Sequence, residues 1–155
     1  MIQPKKILIC FLLTVALFSL SAQAGMATAA SFQVAAGEEA TRTLNLAVDD
    51  RVLIEFTVSG GQYGNTLHFF VTYPNGTAKD FGFVSTHSQR FVADKDGECV
   101  LHFSNEGSSD DKYVSLDYEI DHYIFGMPQM LFLTIVIVII CIAAVAVFIL
   151  MGKTH

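Results

Sequence analysis

Asp94, Asp96 and Glu98 recur at every second position, which would bring three carboxylates to one side of an extended segment, and Asp110 and Asp111 could add further oxygens. Several hard oxygen ligands of that kind are what a calcium ion takes. Gly97, however, stands fourth in the acidic run and not sixth, so the helix-loop-helix calcium pattern fails and solvated turn carboxylates are the expectation. His68, His87, His102 and His122 show no His-x-x-x-His or similar ligand spacing, and no serine sits in a nucleophile-elbow frame. These imidazoles read as strand or loop surface residues; a weaker reading is pH sensing in an acidic compartment, since the side chain titrates near about 6.5. Gly152-Lys153-Thr154 resembles the end of a phosphate-binding loop, but the glycine required five residues before Gly152 is Val147. No catalytic, cofactor-binding or metal-binding set emerges, and a protein that is not an enzyme and needs no cofactor is expected.

The three cysteines, Cys10, Cys99 and Cys141, have three different addresses. Cys10 falls in an N-terminal apolar stretch and Cys141 in a C-terminal one, so no second cysteine is at hand to close a disulfide with Cys99. An intermolecular bridge or reactive thiol is one reading of Cys99. The plainer one makes it a small apolar residue, because Cys99, Leu101 and Phe103 alternate on one face of a strand.

Those two apolar stretches decide where any such chemistry would sit. Residues 130–151 contain no charge: fifteen are Leu, Ile, Val or Phe, three are Ala, and Thr134 and Cys141 are the most polar. As a helix the run would measure about 33 Å, slightly more than the ~30 Å hydrocarbon core of a bilayer. Pro128 precedes it and Gly152 follows it, while Tyr123 and Phe125 are placed as an aromatic belt would be. No Lys or Arg lies between Lys112 and Lys153, whereas Asp117, Glu119 and Asp121 precede the run, so the positive-inside rule puts 152–155 in the cytoplasm. At the other end Lys5 and Lys6, the apolar 7–20 and the small residues Ala22 and Ala24 form a secretory signal, cut after Ala24 or at a second site around Ala27 to Ala29. The expected organisation is signal peptide 1–24, linker 25–30, β-domain 31–121, juxtamembrane segment 122–129, transmembrane helix 130–151 and tail 152–155. That is a type I single-pass protein whose middle lies outside the cytosol, at the cell surface or in the secretory lumen.

All fifteen acids fall between Glu38 and Asp121 against six basic residues there, a net charge of −9 that repels nucleic acid and anionic headgroups. Within this domain Val52, Ile54, Phe56 and Val58 alternate, as do Leu67, Phe69, Val71 and Tyr73, and later Val114, Leu116, Tyr118 and Ile120. Further strands are expected at 81–84, 89–93 and 98–104, with shorter ones around Phe32 and Leu44. Gly60-Gly61, Pro74-Asn75-Gly76 and the acidic run before Gly97 supply the turns. Seven or eight short strands without a helical period point to an all-β antiparallel sandwich. Asn75-Gly76-Thr77 is also a glycosylation sequon, although the turn alone accounts for Asn75 and Gly76.

Leu67, Phe69, Pro74 and Gly76, then the tract FVADKDGECVLHFSN at 91–105, then Lys112, Val114, Leu116 and Tyr118 follow one another in an order that resembles the Golgi dynamics (GOLD) domain. That family includes the transmembrane cargo receptors of the early secretory pathway. The resemblance covers 32–121 and implies a jelly-roll-like β-sandwich that binds a protein or a lipid non-covalently, in protein sorting or vesicular transport. Three features of those receptors are absent. Residues 121–129 are too short for their coiled coil. Cys99 and His102 stand where an aromatic and a disulfide cysteine are usual, and 152–155 carry neither an aromatic nor a dilysine sorting signal. The alternative is a prokaryotic cell-surface structural subunit that self-associates as a homo- or hetero-oligomer through the span or Cys99.

Overall fold

The computed structural model describes residues 27–61 and 64–152. The expected signal peptide with Cys10, the preferred cleavage site after Ala24, and Lys153 to His155 lie outside the described residues. The chain divides into two compact units, Gly25–Tyr123 and a second that includes Ile124–His155.

The first unit is built from eight strands: β1 (Thr28–Val34), β2 (Glu39–Leu46), β3 (Arg51–Ser59), β4 (Leu67–Thr72), β5 (Ala78–Val84), β6 (Thr86–Val92), β7 (Gly97–Ser104) and β8 (Lys112–Asp121). They form two four-stranded sheets, ordered β1-β8-β3-β6 and β2-β7-β4-β5. All pairings are antiparallel, and they nest: β1 lies on β8, β2 on β7, β3 on β6 and β4 on β5. The chain is therefore one long hairpin folded over on itself, with its tip at Pro74-Asn75-Gly76. There Gly76 N–H donates to Tyr73 C=O at 2.9 Å, and Gly76 takes φ +85°, a conformation open to glycine.

The alternation read from the sequence is the alternation of burial. Val52, Ile54, Phe56 and Val58 of β3 face inward while Arg51, Glu55, Thr57 and Ser59 face out. Leu67, Phe69 and Val71 of β4 and Cys99, Leu101 and Phe103 of β7 face them from the other sheet. The centre is aromatic: Phe56, Phe69 and Phe103 meet pairwise at centroid distances of 4.7 to 5.1 Å, two of the three contacts edge-on. Each such contact adds about 0.5–1.5 kcal/mol to the burial of the rings. Arg42 points inward from the edge strand β2 and covers the Phe32 ring at 3.9 Å, closing one open side of the sandwich.

Two boundaries differ from expectation. β1 begins at Thr28, so 28–30 are strand and not linker; Ala29 and Ala30 carry no alternation of their own, and their pairing with Asp117 and Leu116 of β8 recruits them. The helix expected from 130 starts one residue earlier, at Gln129, directly after a two-stranded hairpin in which Tyr123–Ile124 (β9) pairs with Met127–Pro128 (β10). The second unit continues into one helix, α1 (Gln129–Gly152), whose Gln129–Val147 stretch is long and apolar enough to cross a membrane. Its described side chains are apolar all round, and none of that window is buried.

Candidate functional site

Of the acidic residues singled out above, Asp94, Asp96 and Asp111 are spent on turns, while Glu98 is an exposed residue of β7. Asp94 accepts a hydrogen bond from Asn75 Nδ2 at 2.8 Å, Asp96 accepts from Val48 N–H at 2.6 Å, and Asp111 accepts from Gln33 Nε2 and Ala36 N–H. Asp94 and Asp96 share the loop before β7 while Asp111 stands in the loop before β8, and among the described residues no three His, Cys, Asp or Glu side chains converge. Cys99 has no exposed surface, and burial pushes its thiol up to about 11. A thiol that is both covered and protonated cannot bridge to a second chain without unfolding its strand.

Three of the four described histidines each hold one carboxylate. His68 Nε2 lies 2.8 Å from Asp80, His102 Nδ1 2.6 Å from Glu39, and His122 Nδ1 2.9 Å from both oxygens of Asp50. Glu39 takes the hydrogen on His102 Nδ1, and the ring's Nε2 lies 3.2 Å from the Thr72 hydroxyl on the neighbouring strand β4. His87 departs from the expected surface position: it faces inward from β6, 4.4 Å from the Phe81 ring and 5.2 Å from Phe69.

Sequence reasoning missed a buried polar set. Asp50 is fully buried and accepts Ala47 N–H at 2.8 Å as well as the imidazole of His122. Lys112, also buried, donates its ammonium to the carbonyls of Gly60 and Gly64. Asn105 is buried at the end of β7 and donates Nδ2 hydrogens to the carbonyls of Val34, Ala35 and Asp110. These groups tie loops to strands. Their types alone suggested solvent, and only the topology shows that each loop needs a donor or acceptor at that point.

What remains for recognition is the outer surface of the sandwich. On the second sheet a row of rings, Phe83, His68, Phe70 and His102, runs across three strands with centroids 4.2 to 5.7 Å apart, but His68 and His102 are already engaged by Asp80 and Glu39. On the first sheet β6, β3 and β8 enclose an open cleft of about 430 Å³, with Leu53 and Val92 as apolar lining and Arg51, Arg90, Glu119 and Asp121 around them. The register creates it, placing Arg90 opposite Leu53 and Val92 opposite Arg51. Arg51 stacks on the Tyr123 ring at 4.3 Å, so Tyr123 belongs to this cleft. Neither guanidinium has an ion-pair partner among the described residues, although Asp121 lies across from Arg51 in register. Arginine guanidinium and a tyrosine ring are among the groups that contribute most at protein interfaces, and the aliphatic surface of Leu53 and Val92 beside them can help exclude water.

No family model and no curated protein sequence matches this chain. Among solved structures it is similar to PliG of Aeromonas hydrophila, a periplasmic inhibitor of g-type lysozyme, with a TM-score of 0.47 and 13% identity over 64% of this chain and 90% of that one. PliG of Salmonella Typhimurium, an inhibitor of the same class, gives a TM-score of 0.44 and 15% identity over 63% and 90%.

Proposed function

We propose that this chain is a type I single-span membrane protein whose β-sandwich lies outside the cytosol and recognises a protein partner without catalysis, through the cleft between β6, β3 and β8. The observation that carries the reading is the pair Arg51 and Arg90, held on neighbouring strands over Leu53 and Val92 with no ion pair to either guanidinium among the described residues. Such a surface has donors and apolar area available at once, and carboxylates on a partner could engage the guanidinium hydrogens that Glu119 and Asp121 leave free of an ion pair. The orientation is supported by the acids before α1 and the basic residue after it.

The nested pairing, β1-β8-β3-β6 facing β2-β7-β4-β5, supports a jelly-roll reading of the sandwich. That reading is compatible with a GOLD-like domain, and on that resemblance the partner would be a cargo protein sorted between membranes. The test is crosslinking of the full-length protein in its native membrane, comparing wild type with Arg51→Glu/Arg90→Glu and with Lys79→Glu on the other sheet. A partner recovered with wild type and Lys79→Glu and lost with the double variant supports the cleft; equal recovery from all three removes it.

A further inference from the structure

Between the sandwich and α1 the chain turns through Phe125 (φ +52°) and Gly126 (φ +75°), the hairpin geometry in which both central residues are left-handed. Asn-Gly is the ordinary choice there, and a phenylalanine at the first position is strained without benefit to the turn itself. At 87% exposure, Phe125 is the most exposed large apolar side chain among the described residues.

We propose that this hairpin tip is a membrane-interface anchor, in which Phe125 enters the boundary between lipid headgroups and acyl chains and fixes the depth at which α1 begins. The inference rests on the reading of α1 as a span. Four observations carry it to a lipid surface. Among the described residues the one ring in contact with Phe125 is Phe132 of α1, at 5.8 Å, so the side chain lies beside the first turn of the apolar helix. Its sequence neighbours Ile124 and Met127 are apolar, and no Asp, Glu, Lys or Arg occurs between Asp121 and Lys153 to oppose insertion. β9 and β10 pair with each other, which reduces the cost of carrying backbone polar groups toward lipid. Finally, Tyr123, the other aromatic expected at the interface, is held under Arg51, which leaves Phe125 as the exposed ring of this segment.

The chain contains no tryptophan, so each of Phe125→Trp, Ile142→Trp and Phe83→Trp makes a single reporter. The full-length variants are reconstituted in phosphatidylcholine vesicles carrying bromine either near the carbonyl ends of the acyl chains or near their centre. Phe125→Trp should emit at shorter wavelength than Phe83→Trp and be quenched more strongly by the shallow bromines, while Ile142→Trp is quenched by the deep ones and Phe83→Trp by neither. If Ile142→Trp is quenched but Phe125→Trp behaves like Phe83→Trp, the anchor is overturned and the span stands. If Ile142→Trp escapes both quenchers, the span reading fails and the anchor with it. In the Ile142→Trp background, Phe125→Ser should change the ratio of deep to shallow quenching; an unchanged ratio overturns the depth-setting role.

Discussion

Asn105 offers a prediction whose size and sign both follow from the geometry around it. Its side-chain NH₂ faces three carbonyl oxygens, of Val34 at 3.2 Å, Ala35 at 3.1 Å and Asp110 at 2.9 Å. Two hydrogens serve three acceptors, so the group amounts to about two full hydrogen bonds, each contributing roughly 1–1.5 kcal/mol when buried. Asn105→Ala removes both and leaves a small void, for a predicted loss of about 3 kcal/mol. The backbone bonds of residue 105, N–H to Glu38 C=O and C=O from Gly37 N–H, survive the change and confine the loss to the side chain. Asn105→Asp keeps the shape but turns the donor into an acceptor, setting a carboxylate against three carbonyls, so at pH 7 it should cost more than Ala. The sign with pH is also set. A carboxyl that is destabilised as the anion has its folded-state pKa raised, so its stabilising form is fully present below the unfolded value of about 3.9 and lost as pH rises. The Asp variant should therefore regain stability relative to Ala as the medium is acidified toward pH 4. Urea unfolding of the full-length protein in detergent, followed by tyrosine near-UV circular dichroism, measures all three proteins. An Asp variant as stable as wild type at neutral pH, or an Ala variant within about 0.5 kcal/mol of it, would refute the reasoning.

Three further outcomes are expected. Because burial raises the Cys99 thiol from its ordinary 9.0 to about 11, the sandwich should lose up to roughly 3 kcal/mol as pH rises from 9 to 11, and a thiol reagent at pH 8 should label Cys99 only after denaturant is added; prompt labelling of the folded protein would contradict its placement. Gly61→Ala would drive a methyl into the Lys112 ammonium at φ +96°, with an expected cost of about 2 kcal/mol or more, and in a Lys112→Met background that cost should shrink, as a double-mutant thermal unfolding cycle would show. His122→Ala takes away one of the two donors to the fully buried Asp50, so a loss of about 1–3 kcal/mol in urea unfolding is expected, against little effect for Gln89→Ala; equal effects would argue that Asp50 does not depend on the imidazole.

The central strands β3, β4, β7 and β8 were legible because their hydrophobic period is two and one face of each is buried, and the weaker patterns of the other four still marked an approximate position for each. Which strand lies beside which was not, since alternation assigns a face but no neighbour. Arg51 and Arg90 illustrate the gap: nothing local marks them, and only the register of β3 on β6 brings them to one cleft. Phe81 illustrates another. It stands unpaired at the irregularity between Phe69 and Phe70, with Gly82 at φ +72°, and stacks 5.5 Å from Phe69, a displacement that simple alternation does not contain. Asp50, Lys112 and Asn105 were not legible for the opposite reason: their types favour water, and their burial becomes sensible only once the loop carbonyls and N–H groups they satisfy are in position. Lys112 and Asn105 did figure in the resemblance to the GOLD domain, but as matched letters without a role.

The claim on which the functional reading depends is that the sandwich and the C-terminal tail lie on opposite sides of a membrane crossed by α1. A membrane-impermeant maleimide applied to sealed native membrane vesicles with the non-cytosolic face outward, carrying Ser31→Cys, whose position on β1 is exposed, or Thr154→Cys, tests it directly. The account predicts labelling of Ser31→Cys at once and of Thr154→Cys only after permeabilisation. Labelling of Thr154→Cys from outside, or of both positions only after lysis, would contradict it.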